Sequence, residues 1–334
     1  MTDRTSGADD ETPAPWVRFG SEYHVPVLVE AVVRGLIVDP EGTYLDATIG
    51  GGGHAAALLD ALDPKGTLVG VDRDASALER VRTRLGAAID DGRLHLLRGN
   101  FRGIGSLVRG AGWSDLDGVL LDLGVSTRQI DRAERGFSYR REGPLDMRMD
   151  RSRRLTAATV VNEYAEEELA ELFFEYGDER RARKLARAIQ EARPLETTDE
   201  LATLIRTAVP EPEEVKTLSR VFQAIRIAVN EELEALEGGL RGATELVRPG
   251  GRCAVISYHS LEDRRVKRYF KYGNFEGRPR RDLYGNLIRP WRPLGDGVIR
   301  PTDAEIEANA RARSARLRLA ERRDQADDNP PAPG

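Results

Sequence analysis

The chain has 334 residues, 40% of them hydrophobic, and a formal net charge of −5 at pH 7. That length supports one large domain or two modest ones, and the acidic total excludes a general polyanion binder while leaving room for a local basic face. One cysteine, Cys253, excludes internal disulfides and a cysteine-cluster zinc site, and no apolar run approaches the roughly eighteen residues a membrane span needs.

Residues 1–20 are acidic and proline-containing, which predicts a disordered start rather than a signal or transit peptide. Next, His24 to Leu36 predicts a helix with Pro26 in its first turn and Val27, Leu28, Ala31, Val32 and Leu36 on one face. Tyr44 to Ile49 reads as a buried strand that ends at four glycines, Gly50 to Gly53, and Ala55 to Leu62 as the helix beyond. A glycine turn there lets backbone approach a ligand and aims the helix's first N–H groups at it. Thr67 to Val71 is the second strand, and Asp72 stands where an acid accepts hydrogen bonds from ribose hydroxyls. Gly50, Gly52 and Ala55 also satisfy a dinucleotide pattern, so a nicotinamide dehydrogenase is open. Asp46 favours another ligand: a carboxylate repels pyrophosphate but suits a cationic amino-acid end such as that of S-adenosylmethionine. Capping of the turn is the bland alternative for Asp46.

Ala75 to Leu85 predicts a helix and Leu94 to Leu97 a third strand, which runs into Asn100 and Phe101. These two read equally as a purine contact with a stacking ring or as a turn with a core aromatic. Leu116 to Leu123 is a fourth strand that delivers Asp122 to the crevice where open α/β sheets bind ligands. The aperiodic segment 124–150 carries Phe137, Tyr139, Asp146, Arg148 and two methionines. It suits a cover over a stacked base, or else a Met-rich packing segment.

From 156 to 210 only helices are predicted, at Glu166–Tyr176, Glu179–Ala192 and Leu201–Ala208, the last behind a capping box at Thr197 and Glu200. This region reads as a helical insertion. A long helix from Ser219 to about Leu236, with Arg226 and Asn230 on one face, returns the chain to the sheet. Arg252 to Ile256 is a fifth strand with Cys253 packed inside it, which leads into Tyr258 and His259. A helix over Asp263–Lys271 follows. The Arg-, Gly- and Pro-containing stretch 272–300 suits an RNA-contacting loop or a plain surface excursion. A helix capped near Thr302 and a last strand over Ser314–Glu321 precede a disordered tail at 322–334. Arginine supplies nearly all the positive charge, clustered at 132–154, 180–193, 264–300 and 311–323. It suits phosphate contacts and base stacking, though ordinary solvated surface is the preferred reading of 180–193.

Taken together, His24–Leu28 with Glu30, Gly51–His54, Asp72–Asp74, Asn100–Phe101, Asp122–Ser126 with Gln129, Gly136–Ser138, Pro144–Asp150, Tyr176–Arg180, Ser257–Arg264 and Arg313–Ala315 resemble the bacterial ribosomal RNA small subunit methyltransferase H family, also called MraW. The resemblance spans about His24 to Glu321. It implies a Rossmann-like class I methyltransferase, a doubly wound α/β sheet with an inserted all-helical domain. The implied division is 21–135 and 216–321 for the sheet and 136–215 for the loop and insertion. The implied reaction moves a methyl group from S-adenosylmethionine to the exocyclic N4 of one cytidine in the decoding region of 16S rRNA. The partner is then 16S rRNA or the small ribosomal subunit, in the cytoplasm, with no membrane; a homodimer is left open. Carried over residue by residue, the cofactor lies against Gly51, Gly52, Gly53, His54, Asp72, Phe101, Asp122 and Gln129. Thr127 and Ala310 stand where the family has Ser and Pro, and 272–300 lacks the cysteines of some members, so no metal is expected.

The chemistry then asks for hydrogen-bond acceptors near the N4 protons and for alignment of the reacting atoms. Asp122 is the expected catalytic acceptor, with His259 and Asp146 as candidates for proton loss. Phe137, Tyr139, Arg148 and Tyr258 are candidates for holding a flipped-out cytosine. The competing functions are an amino-methyltransferase on DNA or another RNA, and a nucleotide-binding module without catalysis.

Overall fold

A computed structural model describes residues 18–20, 26–124 and 132–324. The sheet has seven strands in the order β3-β2-β1-β4-β5-β7-β6. Strands β1 (Thr43–Asp46), β2 (Thr67–Asp72), β3 (Leu94–Arg98), β4 (Leu116–Asp122) and β5 (Val247–Ser257) pair in parallel. The last strand in sequence, β7 (Arg316–Arg322), runs antiparallel between β5 and the short β6 (Trp291–Pro293). The order reverses between β1 and β4, and the crevice at such a switch point is where open α/β sheets take ligands.

Strand period sorts the core into two layers. Leu45, Val69, Leu121 and Val255 face one side, under α4 (Ile104–Gly110), α10 (Glu232–Leu246) and α11 (Ser260–Tyr272). Their neighbours Tyr44, Leu68, Leu120 and Ile256 face the other, under α1 (Val29–Leu36), α2 (Gly53–Ala61) and α3 (Ala75–Asp90). Successive residues of a strand point to opposite faces, so buried strands must be apolar on both.

A third core is mainly helical, with Phe137, Leu145, Met147 and Met149 of the loop packed into it. It is built from α5 (Ala157–Glu163), α6 (Glu166–Gly177), α7 (Ala182–Ala192), α8 (Thr198–Ala208) and α9 (Glu214–Asn230). The chain thus forms the expected doubly wound α/β sheet with an inserted helical body. Thr197 and Glu200 form the expected capping box at the start of α8.

Several boundaries differ from expectation. The single helix over 219–236 is two helices, α9 and α10, that meet at Glu231 in the left-handed conformation (φ 50°). The Arg226 guanidinium closes the corner with two bonds of 2.9 Å to Glu232. The apolar face of α9, with Val221, Phe222 and Ile225, packs in the helical core. Helix α1 starts at Val29 rather than near His24, because Leu28 adopts φ 58°. The Leu28 N–H donates to Glu305 Oε1 (3.0 Å), a side chain at the start of α12 (Asp303–Ala308). Helix α3 continues to Asp90 through non-helical geometry at Leu85, and α5, capped by Thr156, was not expected at all.

Candidate active site

Three carboxylates end three neighbouring strands: Asp46 on β1, Asp72 on β2 and Asp122 on β4. Asp46 is almost fully buried, at 1% exposure, and its Oδ1 accepts from the Thr48 N–H (3.1 Å). Burial pushes its carboxyl up to about 7, and the charges of Asp122 and Asp72 push the same way against the pull of His54. Asp72 accepts from the N–H groups of Gly50 (3.0 Å) and Asp74 (2.8 Å). Burial still holds its carboxyl above the usual range. An acid so placed is ready for a ligand that brings positive charge or hydroxyl donors.

Asp122 is the most elaborately held of the three. Its N–H donates to Thr48 Oγ1 (2.7 Å), and its Oδ1 accepts from the Tyr258 hydroxyl (2.9 Å). Its Oδ2 lies 3.5 Å from His54 Nδ1. The other ring nitrogen of His54, Nε2, lies 2.9 Å from the Val27 carbonyl oxygen. Tyr258 stays a neutral donor, since burial and the adjacent Asp122 carboxylate drive its hydroxyl well above its ordinary value. Each carboxylate oxygen has a second lone pair, so Asp122 keeps acceptor capacity toward the crevice.

The glycine turn lies between these acids. Gly50 and Gly52 adopt φ 51° and 76°, which a side-chain-bearing residue adopts only with strain. A Cβ at Gly51 would project into open space, with no atom within 4 Å. The buried His54 reaches the crevice through Asp122, so its side chain acts as a brace for that acid. Asn100 caps its own turn by accepting from the Arg102 N–H (3.0 Å). Phe101 packs half-buried against the core, and its ring lies 2.9 Å from where a Cβ on Gly239 would stand. Gln129 lies outside the described residues, as do His24, Ser126 and Thr127.

The aperiodic loop differs from the expected cover. Phe137 is buried in the helical core with the Arg135 guanidinium 5.9 Å from its ring centre. Tyr139 meets Phe222 edge-on at 5.5 Å. Met147 and Met149 are buried in the same core, so the packing alternative describes them. Asp146 binds Arg148 with both oxygens, at 2.7 and 2.9 Å, and Arg148 also donates to the Arg151 and Arg153 carbonyls. Burial works to raise the Asp146 carboxyl, but the Arg148 side chain and N–H hold it below the usual range. That pair is a structural clasp, which leaves Asp146 unsuited to take a proton. Asn230 pins the loop: its Oδ1 accepts from the Met149 N–H and its Nδ2 donates to the Met147 carbonyl, both at 2.8 Å. Arg73, next to Asp72, donates to Met149 Sδ.

His259 sits beside Glu262 rather than in the Asp122 network. Its ring nitrogens are buried, with Nε2 3.2 Å from Glu262 Oε1, yet neither has a well-directed hydrogen bond. Glu262 Oε2 accepts from the N–H groups of Tyr258 (2.9 Å) and His259 (3.3 Å). Glu232, His259 and Glu262 bring possible ligating atoms within 4.8 Å of one another, but Arg226 already occupies both oxygens of Glu232. The cluster secures the turn that aims Tyr258 and joins it to the inserted helices.

Residues 21–323 match the MraW methylase family. The chain belongs to that family. It is a methyltransferase, and its cofactor is S-adenosylmethionine. The three acids fit that cofactor: they suit a sulfonium, an ammonium and ribose hydroxyls, and they would repel a pyrophosphate. The dinucleotide reading is thereby set aside. Relatives named ribosomal RNA small subunit methyltransferase H include one from Flavobacterium johnsoniae, 47% identical over 90% of this chain and 98% of its own length. One from Christiangramia forsetii is 47% identical over 90% and 97%, and one from Bacteroides thetaiotaomicron 45% identical over 90% and 98%. No helix among the described residues is long and apolar enough to cross a membrane.

Sequence reasoning missed Thr48 and the Tyr258–Asp122 bond. Thr48 follows Asp46 by two residues and faces β4, a placement that carries no motif of its own.

Proposed function

We propose that the chain methylates the exocyclic N4 of one cytidine in the decoding region of 16S rRNA. The observation that carries this reading is Asp122, held from two sides at the switch-point crevice, in a chain whose relatives are named for small-subunit rRNA methylation. Asp46, Asp72 and the turn at Gly51, Gly52 and Gly53 hold the cofactor, with Phe101 and Gln129 completing its site. Bound there, S-adenosylmethionine supplies an electrophilic methyl group.

A cytosine amine is a weak nucleophile, because its lone pair is delocalised into the ring. Asp122 accepts a hydrogen bond from N4 as positive charge develops on it. Tyr258 fixes the orientation of that carboxylate and offers an aromatic edge beside the flipped base. His259 and Glu262 act behind Tyr258 as positioning residues. The inserted helical body, together with the 136–150 loop it anchors, shapes the RNA side of the crevice.

The test is transfer from labelled cofactor to unmodified small subunits and to naked 16S rRNA, followed by nucleoside mass spectrometry. N4-methylcytidine at one position is the expected product. Label in another nucleoside, or none in either RNA, overturns the reading.

A further inference from the structure

Residues 276–292 carry five arginines and two acids, in a chain whose net charge is −5. The segment is not the irregular excursion its composition suggests. Ile288 N–H donates to the Arg280 carbonyl (2.9 Å) and Asp282 N–H to the Asn286 carbonyl (3.0 Å), with Arg281 opposite Leu287. The result is a small hairpin. Its base is fixed: Asn274 donates to the carbonyls of Tyr272 (3.0 Å) and Arg278 (2.8 Å). Trp291, fully buried, donates from Nε1 to Thr244 Oγ1 (2.8 Å).

The tip is closed on itself, with Asp282 Oδ1 accepting from the N–H groups of Tyr284 (2.8 Å) and Asn286 (2.9 Å), while its apolar side chains face water. Leu283 is 101% exposed, Tyr284 86% and Ile288 55%, half of the large apolar side chains exposed among the described residues. An anchored hairpin that holds apolar side chains in water marks an interaction surface. Its base sits at the far end of α11, whose thirteen residues place it about 20 Å from Tyr258.

We infer that this hairpin is a second RNA-docking element, which grips the structured RNA of the small subunit away from the target cytidine. The inference rests on the proposed function. The chemistry selects the partner: among the described residues Arg278 and Arg281 form no ion pair with a carboxylate, and Arg281 donates only to the Gly285 carbonyl, so both guanidiniums keep N–H groups for phosphates. Tyr284 offers a face for an unstacked base. A protein partner would gain from Leu283 but would leave the arginine flanks unmatched.

The test uses the full chain with Arg281→Gln and Tyr284→Ala combined, both exposed, and measures affinity for unmodified small subunits separately from turnover. Affinity is expected to fall about tenfold, and the plot of log affinity against log salt to become shallower by about one. Transfer to a short stem-loop that contains the target cytidine should stay unchanged. Unaltered affinity and salt slope for subunits overturn the inference. So does loss of self-association in the variant with subunit affinity intact, which would assign the hairpin to a second copy of the chain. Failure of the wild-type chain to methylate subunits it binds counts against the proposed function alone, since the binding comparison stands without turnover.

Discussion

The Tyr258 hydroxyl donates to Asp122 Oδ1 at 2.9 Å across 136 residues of sequence. A hydrogen bond to a charged acceptor contributes about 1.5–3 kcal/mol. If Asp122 must face the amine squarely, Tyr258→Phe lowers kcat about ten- to a hundredfold with cofactor affinity little changed. Asp122→Ala abolishes transfer. Near-normal turnover of the alanine variant would remove Asp122 from both its proposed roles.

Asp46 sets a pH dependence. Its carboxyl stands at about 7 when folded against 3.8 in an open chain, so the folded state keeps a proton that the unfolded state releases. The Asp46 contribution to the stability of the cofactor-free protein is therefore present in full below pH 4 and is lost as pH rises through about 7. A cationic cofactor favours the ionised acid, so its affinity rises over the same range. Asp46→Asn should flatten both dependences. Chemical denaturation and cofactor titration at pH 5.5 and 8 measure them, and equal slopes in variant and wild type would contradict this account.

Asn230 pins the loop whose Met149 meets Arg73. In Asn230→Ala the Met149 N–H and Met147 carbonyl lose their partners inside the helical core, at about 1–3 kcal/mol for each unsatisfied group. The variant should melt several degrees lower. Proteolysis between residues 136 and 155 should quicken before global unfolding, and unchanged cleavage rates would show that other contacts hold the loop.

Cys253 lies fully buried in β5, and burial pushes its thiol far above its ordinary value. It should resist alkylation in the native protein and react only on unfolding. Cys253→Ala should retain full activity, and rapid labelling of the folded chain would refute this.

Much of the site was legible because Asp46, Asp72 and Asp122 each end a run of apolar strand residues, a local pattern. What stayed hidden depends on distance or ambiguity. Nothing near residue 122 announces Tyr258, and nothing near 147 announces Asn230. Phe137 and Met147 stand among arginines, a mixture that suits an RNA cover or a core equally, and only their burial decides. The break at Glu231 was invisible because Asn230, Glu231 and Glu232 fit a continuing helix. A corner made by one left-handed residue and an Arg226–Glu232 clasp leaves no mark on periodicity.

The bond from Leu28 to Glu305 has a consequence for the order in which the enzyme becomes competent. Glu305 fixes the backbone at Leu28, the neighbouring Val27 carbonyl meets His54, and His54 braces Asp122. The Asp122 carboxylate is thus wired through two side chains to a helix near residue 305. Contacts of such long sequence separation form late in folding. A chain that has folded its glycine turn but not yet docked α12 has the proposed cofactor cradle without a settled Asp122, so on the proposed mechanism methyl transfer waits until nearly the whole molecule is in place.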